Sequence, residues 1–156
     1  MMKFLPEYKL YICGKPYEKY IHHLEALKEE WATENVIFTG EISNAEKNWM
    51  YAHCKAFLFP SLLEGFGLPV LEAMRFNTKV FASQYTSLPE ICKNHATYFD
   101  SYIPEEMAAT VREGIGKWEK DSTEAKEARE YSLSFTYDKY TTAYLNLYRK
   151  MLGISH

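Results

Sequence analysis

Apolar residues are plentiful in this sequence, yet nowhere do they run unbroken for the roughly 18 positions a membrane span needs. The opening residues, MMKFLPEYKL, also lack a long apolar segment and a small-residue cleavage pattern, so the sequence reads as soluble, unprocessed and cytoplasmic. There is no basic excess either. A formal charge of −3 and a pI near 6.0 leave no electrostatic footprint for nucleic acid or an anionic membrane, and any bound anion must be held locally. Cysteine is scarce: Cys13, Cys54 and Cys92 are odd in number, far apart and without metal-ligand spacing, which excludes a disulfide framework and suggests reduced thiols. His22 and His23 are neighbours, while His53, His95 and His156 stand apart, a poor basis for zinc or a nucleophile relay. No repeat, low-complexity tract or Pro/Gly/Ser linker divides the chain. A G-x-G-x-x-G turn and a P-loop lysine are both missing, which weighs against a generic nucleotide-binding domain.

What is present is enough apolar surface for one core: 156 residues, 47% hydrophobic and 16% aromatic, expected to fold as a single domain over 1–156. Short apolar runs alternate with helix-period stretches, the pattern of a parallel α/β sheet with flanking helices. Strands are expected at Lys9–Cys13 (buried), Asn35–Gly40, Ala56–Pro60 (central, covered on both faces), Thr78–Ser83 and Ala96–Asp100. Helices are expected over Tyr17–Ala32, with Tyr20, Ile21, Leu24, Leu27 and Trp31 inward, over Ala45–His53 after a Ser43/Glu46 capping box, and over Ser87–Asn94 with Pro89 in its first turn. From Pro104 the chain reads as helical to about residue 153, in three segments, Pro104–Lys117, Ser122–Ser132 and Tyr137–Leu152. The last carries Tyr137, Tyr140, Tyr144, Leu147, Tyr148 and Met151 on one face. That face either packs on its own domain or meets a further domain or partner.

The stretch PSLLEGFGLPVLEAM, Pro60 to Met74, follows the third strand, at the sheet edge where parallel sheets bind ligands. Gly65 and Gly67 free the turn of side chains and open positive φ. Pro69 suits a first helical turn, so a helix is expected near Leu68 with its unpaired N–H groups aimed back at Gly67, able to hold a phosphate without a basic side chain. Glu64 before the turn and Glu72 one turn into the helix are acceptor-only carboxylates suited to paired hydroxyls, and with a diphosphate between them they fit a sugar nucleotide. The competing reading pairs Glu72 with Arg75 at i, i+3 and leaves Glu64 in solvent.

This stretch resembles the P-S-x-x-E-G-F-G-x-x-x-x-E-A-M element in the C-terminal, donor-binding domain of family 4 (group 1) retaining GT-B glycosyltransferases, including both glutamates. NVIFTGEIS, VFASQYTSLPEI and FTYDKYTTAYLNLY resemble further family segments in the expected order. The resemblance implies a Rossmann-like parallel sheet, the C-terminal half of a GT-B fold lacking its first strand-helix unit, and a transfer from a nucleoside-diphosphate sugar to an acceptor with retention. Glu64 would be the catalytic candidate, contacting donor-sugar hydroxyls, with Gly65, Phe66, Gly67 and Leu68 at the sugar and diphosphate, Glu72 at the ribose, and Gly40, Glu41 and Ile42 beside the nucleobase. No cofactor or metal is implied, and no D-x-D, the metal signature of the other main glycosyltransferase fold, is present.

Two residues depart from the family pattern: Asn77 where glycine is usual, a residue that enters the left-handed region readily, and Lys79 at the start of the fourth strand. The family's Arg/Lys pair, which neutralises the leaving diphosphate, belongs to a unit preceding YKLYIC, and the acceptor-binding N-terminal domain is absent too. The expectation is therefore a donor-binding half, inactive alone, whose partners are a nucleotide sugar and an N-terminal domain or partner chain against the Tyr137–Met151 helix. No nucleic acid is expected, and any membrane association would come only through absent parts. The alternative is a non-catalytic interaction or regulatory domain of the same fold, one half of a split enzyme.

Overall fold

The computed structural model describes residues 1–15, 18–30 and 34–154. Its strands are all parallel, as expected of strands joined by helices, but they form two sheets. β1 (Leu10–Cys13) pairs with β2 (Val36–Gly40), and β3 (Ala56–Phe59), β4 (Lys79–Ala82) and β5 (Thr97–Tyr98) form the second sheet in chain order. A doubly wound sheet has the order 3-2-1-4-5-6, and β2-β1 followed by β3-β4-β5 reproduces it with the first position open. The described residues supply no strand between β1 and β3.

One apolar cluster spans that division: Leu10 and Val36 from the first sheet pack with Ala56, Leu58 and Phe81 from the second, over Leu5 and Val111. Asn35 ties the chain start to β2, its amide donating to the carbonyls of Met2, Leu5 and Tyr8 at 3.3, 3.1 and 3.0 Å. The second cluster lies on the other face of β4. There Val80 and Ala82 meet Val70, Leu71 and Met74 of α3 (Leu68–Met74) and Leu88 and Ile91 of α4 (Leu88–Cys92). β4 thus sends alternate side chains to opposite cores, the period-2 rule applied to a strand covered on both faces.

The remaining helices are α1 (Glu18–Glu30), α2 (Asn44–His53), α5 (Pro104–Lys117), α6 (Thr123–Leu133) and α7 (Tyr137–Leu152). The α2 start is the expected capping box: the Glu46 N–H donates to Ser43 Oγ at 3.2 Å and the Ser43 N–H to Glu46 Oε2 at 2.8 Å.

Several expectations are corrected. β1 is not buried: Tyr11 and Ile12 are 47% and 41% exposed, because a strand paired on one side only leaves its other edge to solvent. β3 is half-buried rather than covered on both faces, for the same reason. Leu24 of α1 is exposed and Leu27 half-buried, while Trp31 lies outside the described residues and the expected inward placement of Tyr20 and Ile21 concerns side chains outside that description. The expected helix Ser87–Asn94 ends at Cys92 and gives way to a 3-10 turn, Lys93–His95, after which β5 keeps only two residues. α7 buries none of its residues: of its aromatic face Tyr140 meets Phe66 and Phe135, while Tyr144, Leu147, Tyr148 and Met151 are exposed.

Both departures from the family pattern are accommodated. Asn77 adopts φ 56°, in the left-handed region as expected. Lys79 is only 7% exposed, but its ammonium lies 4.4 Å from the Trp118 ring centroid and 3.4 Å from a Glu124 carboxylate oxygen.

Candidate functional site

Four loops follow the carboxyl ends of β1 to β4. After β2, Gly40 takes φ 72° and its carbonyl accepts from the Gly14 N–H at 2.9 Å, joining the first two loops. Glu41 is exposed and Ile42 half-buried before Ser43 starts α2. The expected nucleobase turn is therefore a short, exposed bend held by backbone.

The loop after β3 is held from the loop after β4. The Glu64 N–H donates to Thr86 Oγ1 at 3.1 Å, and Ser87 Oγ donates to the Glu64 carbonyl at 3.1 Å. Ser83 Oγ donates to the Ser61 carbonyl in the same way. These bonds use the Glu64 backbone and leave its half-buried carboxylate unengaged by them. Thr86 sits at φ 56°, a strained conformation for a β-branched residue, and it is one of the residues clamping Glu64. Sequence reasoning missed Ser83, Thr86 and Ser87 as supports, although their place beyond β4 was the available signal.

Gly67 caps α3 at φ 93° and ψ 46°, followed by Leu68 and Pro69. A Cβ at Gly67 would lie 2.6 Å from Leu88 Cδ2, so this turn needs glycine both for its φ and for the close approach of α4. α3 has only seven residues, so the N–H groups of its first turn act locally rather than as the end of a long dipole. Gly65 is exposed, and the Phe66 ring meets Phe135 and Tyr140 edge-on, each 6.1 Å between centroids. That contact anchors the first turn of α7 to the glycine turn, while Tyr137 and the rest of the helix project outward.

Glu72 does not pair with Arg75, whose guanidinium donates instead to the Phe135 carbonyl at 3.3 Å. Its partners come from α2. Lys47 Nζ lies 3.0 Å from Oε1 and 2.9 Å from Oε2, and the Tyr51 hydroxyl donates to Oε2 at 3.3 Å. Burial and the Glu72 charge push the Tyr51 hydroxyl well above its ordinary range, so it stays a donor at any working pH. Glu64 and Glu72 thus stand on separate supports, one held from the loop after β4 and the other from α2, on either side of the Gly67 turn. Among the described residues no three His, Cys, Asp or Glu side chains gather as metal ligands. No helix is long and apolar enough to cross a membrane, again among the described residues.

This arrangement is a parallel α/β fold with two carboxylates set around a glycine turn beyond its strand ends, and comparison with known proteins places it. Residues 2–134 match the family described as glycosyl transferases group 1, and the chain belongs to that family. It is 38% identical over 110 residues to the serotype-specific mannosyltransferase WbdA of Escherichia coli, covering 69% of this chain and 14% of that protein. The fold matches a glycosyltransferase from Rickettsia africae ESF-5 with a TM-score of 0.82 at 15% identity, over 99% of this chain and 44% of that one. It also matches Anabaena Alr3699/HepE in complex with UDP-glucose, with a TM-score of 0.72 at 19% identity, over 84% of this chain and 38% of that one. The chain therefore spans less than half the length of each.

Proposed function

We propose that this chain is the donor-binding part, a single sugar-nucleotide-binding domain over 1–156, of a glycosyltransferase that moves a sugar from a nucleoside diphosphate to an acceptor with retention. The observation carrying this reading is that Glu64, held by its backbone, and Glu72, held by its carboxylate, flank the left-handed Gly67 turn. Glu64 accepts hydrogen bonds from donor-sugar hydroxyls and orients the anomeric carbon. The backbone at Gly65, Phe66, Gly67 and Leu68 lies along the sugar and diphosphate, whose charge grows as the glycosidic bond breaks and is met there by preorganised N–H groups without a metal. Glu72 takes the ribose hydroxyls, and the Gly40, Glu41 and Ile42 bend borders the base. The relatives' names favour a mannosyl donor, and the HepE complex a glucosyl one.

Titration of the folded chain with uridine, guanosine and adenosine diphosphates, and with their mannose and glucose conjugates, tests the reading. At least one diphosphate should bind, and Glu64→Ala should remove the extra affinity of the sugar conjugate while sparing that of the diphosphate. Binding to none of them overturns the proposal.

The uncovered aromatic face of α7 supports a second element: the acceptor-binding domain, or a partner chain carrying it, packs there, and the chain alone has little or no transfer activity. If that face binds a partner while no nucleotide binds, the domain is an interaction module of the same fold instead.

A further inference from the structure

The support of Glu72 is more specific than a link between two helices requires. Lys47 and Tyr51 lie four residues apart on α2, hence on one face, and both point their polar ends at the same carboxylate. The lysine ammonium reaches both oxygens, so it fixes the carboxylate plane as well as its charge. The tyrosine reaches one oxygen from a ring that is almost fully buried, edge-on to Phe57 at 5.3 Å. α2 itself is fixed at its start by the capping box that follows the Gly40–Ile42 bend. An ionised carboxylate has about four lone-pair sites, so the three contacts on the α2 side, two of them on Oε2, leave acceptor capacity on Oε1 for a ribose hydroxyl. Lys47 and Glu72 are about one-third exposed, so the pair is open to a ligand rather than sealed in the core.

The geometry points to Lys47 and Tyr51 as positioning residues that brace Glu72 in the orientation at which it accepts from the ribose hydroxyls, an inference that rests on the ribose reading of Glu72. Neither touches the reacting sugar. The brace acts through Glu72, keeping it turned to the ribose before the nucleotide arrives, so that little ordering remains to be done on binding.

The test compares the tightest-binding of uridine, guanosine and adenosine diphosphates with its 2′,3′-dideoxy counterpart by calorimetry. The wild-type chain should prefer the ribonucleotide by about tenfold or more, the scale of one hydrogen bond to a charged group. Glu72→Gln should bring the ratio near one. Lys47→Met and Tyr51→Phe should each cut it about threefold or more, a change in the ratio that a helix cross-link alone does not predict, and Lys47→Arg should keep most of it. Tyr51→Phe keeps the buried ring and so remains informative if Lys47→Met fails to fold. If Glu72→Gln leaves the ratio unchanged, or the folded wild-type chain binds none of the three, the ribose reading falls and takes the brace with it. If Glu72→Gln abolishes the preference while Tyr51→Phe and every folded Lys47 variant retain it, the ribose reading stands and the brace is overturned.

Discussion

The two sheets of this domain are built to different standards. β4 is fully buried, flanked by strands on both sides, and serves two apolar clusters. β1 has one neighbour and exposes Tyr11, Ile12 and Cys13. Both halves contribute a loop to the candidate site, yet among the described residues only the β3–β5 half has side chains from one loop clamping the next, through Ser83, Thr86 and Ser87. The difference teaches where preorganisation lies: the Glu64–Gly67 loop is tied to its neighbour within this chain. The Gly40–Ile42 bend hangs on a two-stranded ribbon, and such a ribbon is marginal without further packing.

The largest expected effect tests this asymmetry at one residue in each half. Phe81 is fully buried at the centre of β4, stacked on Phe99 with ring centroids 6.1 Å apart, and a Cβ at Gly114 would lie 2.5 Å from its ring. Phe81→Ala should cost about 3–5 kcal/mol, read as a fall in the urea midpoint. Ile12→Ala, on the exposed ribbon, should stay within about 0.5 kcal/mol. Comparable losses at the two sites would break the comparison, because they would mean that Ile12 is covered in solution.

A smaller effect comes from the two glycines that open the loops of each half. Gly67 and Gly40 both have positive φ, but an added Cβ meets Leu88 at 2.6 Å in the first case and nothing within 4 Å in the second. Gly67→Ala should therefore combine backbone strain with overpacking, about 2–4 kcal/mol, whereas Gly40→Ala should carry the strain alone, about 1–2 kcal/mol. Equal denaturation midpoints for the two variants would show that Leu88 rotates away freely and that the turn is less tightly packed than its distances indicate.

The division between the halves also separates what could be read in the sequence from what could not. The fold class, the α2 capping box, the α3 start near Leu68 and the left-handed Asn77 were legible because each depends on local chemistry: periodicity, side-chain caps, proline at a helix start, a short polar side chain at positive φ. The exposure of β1 was not, because LYIC has the composition of a buried strand and only its sheet neighbours decide its burial. The partner of Glu72 was sought at Arg75, within helical reach, and found on another helix; its signal was the i, i+4 spacing of Lys47 and Tyr51, which gains meaning only once α2 and α3 are adjacent. Lys79 looked like a flaw in β4 because Trp118 and Glu124, far along the chain, are what accommodate it.

The smallest effect separates the halves by pH. In the β3–β5 half, His95 stacks on Tyr131 with centroids 4.5 Å apart, and burial holds its imidazole below the ordinary value of 6.5, outweighing Glu127 and Glu124, which act the other way. The unfolded chain then binds the proton more readily than the folded one, so the His95 contribution should be flat above about pH 7 and decline as the pH falls through the unfolded value near 6.5. In the β1–β2 half, the hydrogen bonds from Ser43 hold the Glu46 carboxyl below its ordinary 4.5; that contribution is complete above this value and should be lost only at more acid pH. Burial also holds the Met1 amino group below its ordinary 8.0, so its own loss falls nearer pH 8. Urea midpoints measured from pH 7 to pH 5 should therefore show a first, shallow loss that His95→Gln removes and Ser43→Ala leaves in place. A first loss that follows Ser43→Ala instead would assign the acid-sensitive step to the ribbon and reverse the order of the two halves.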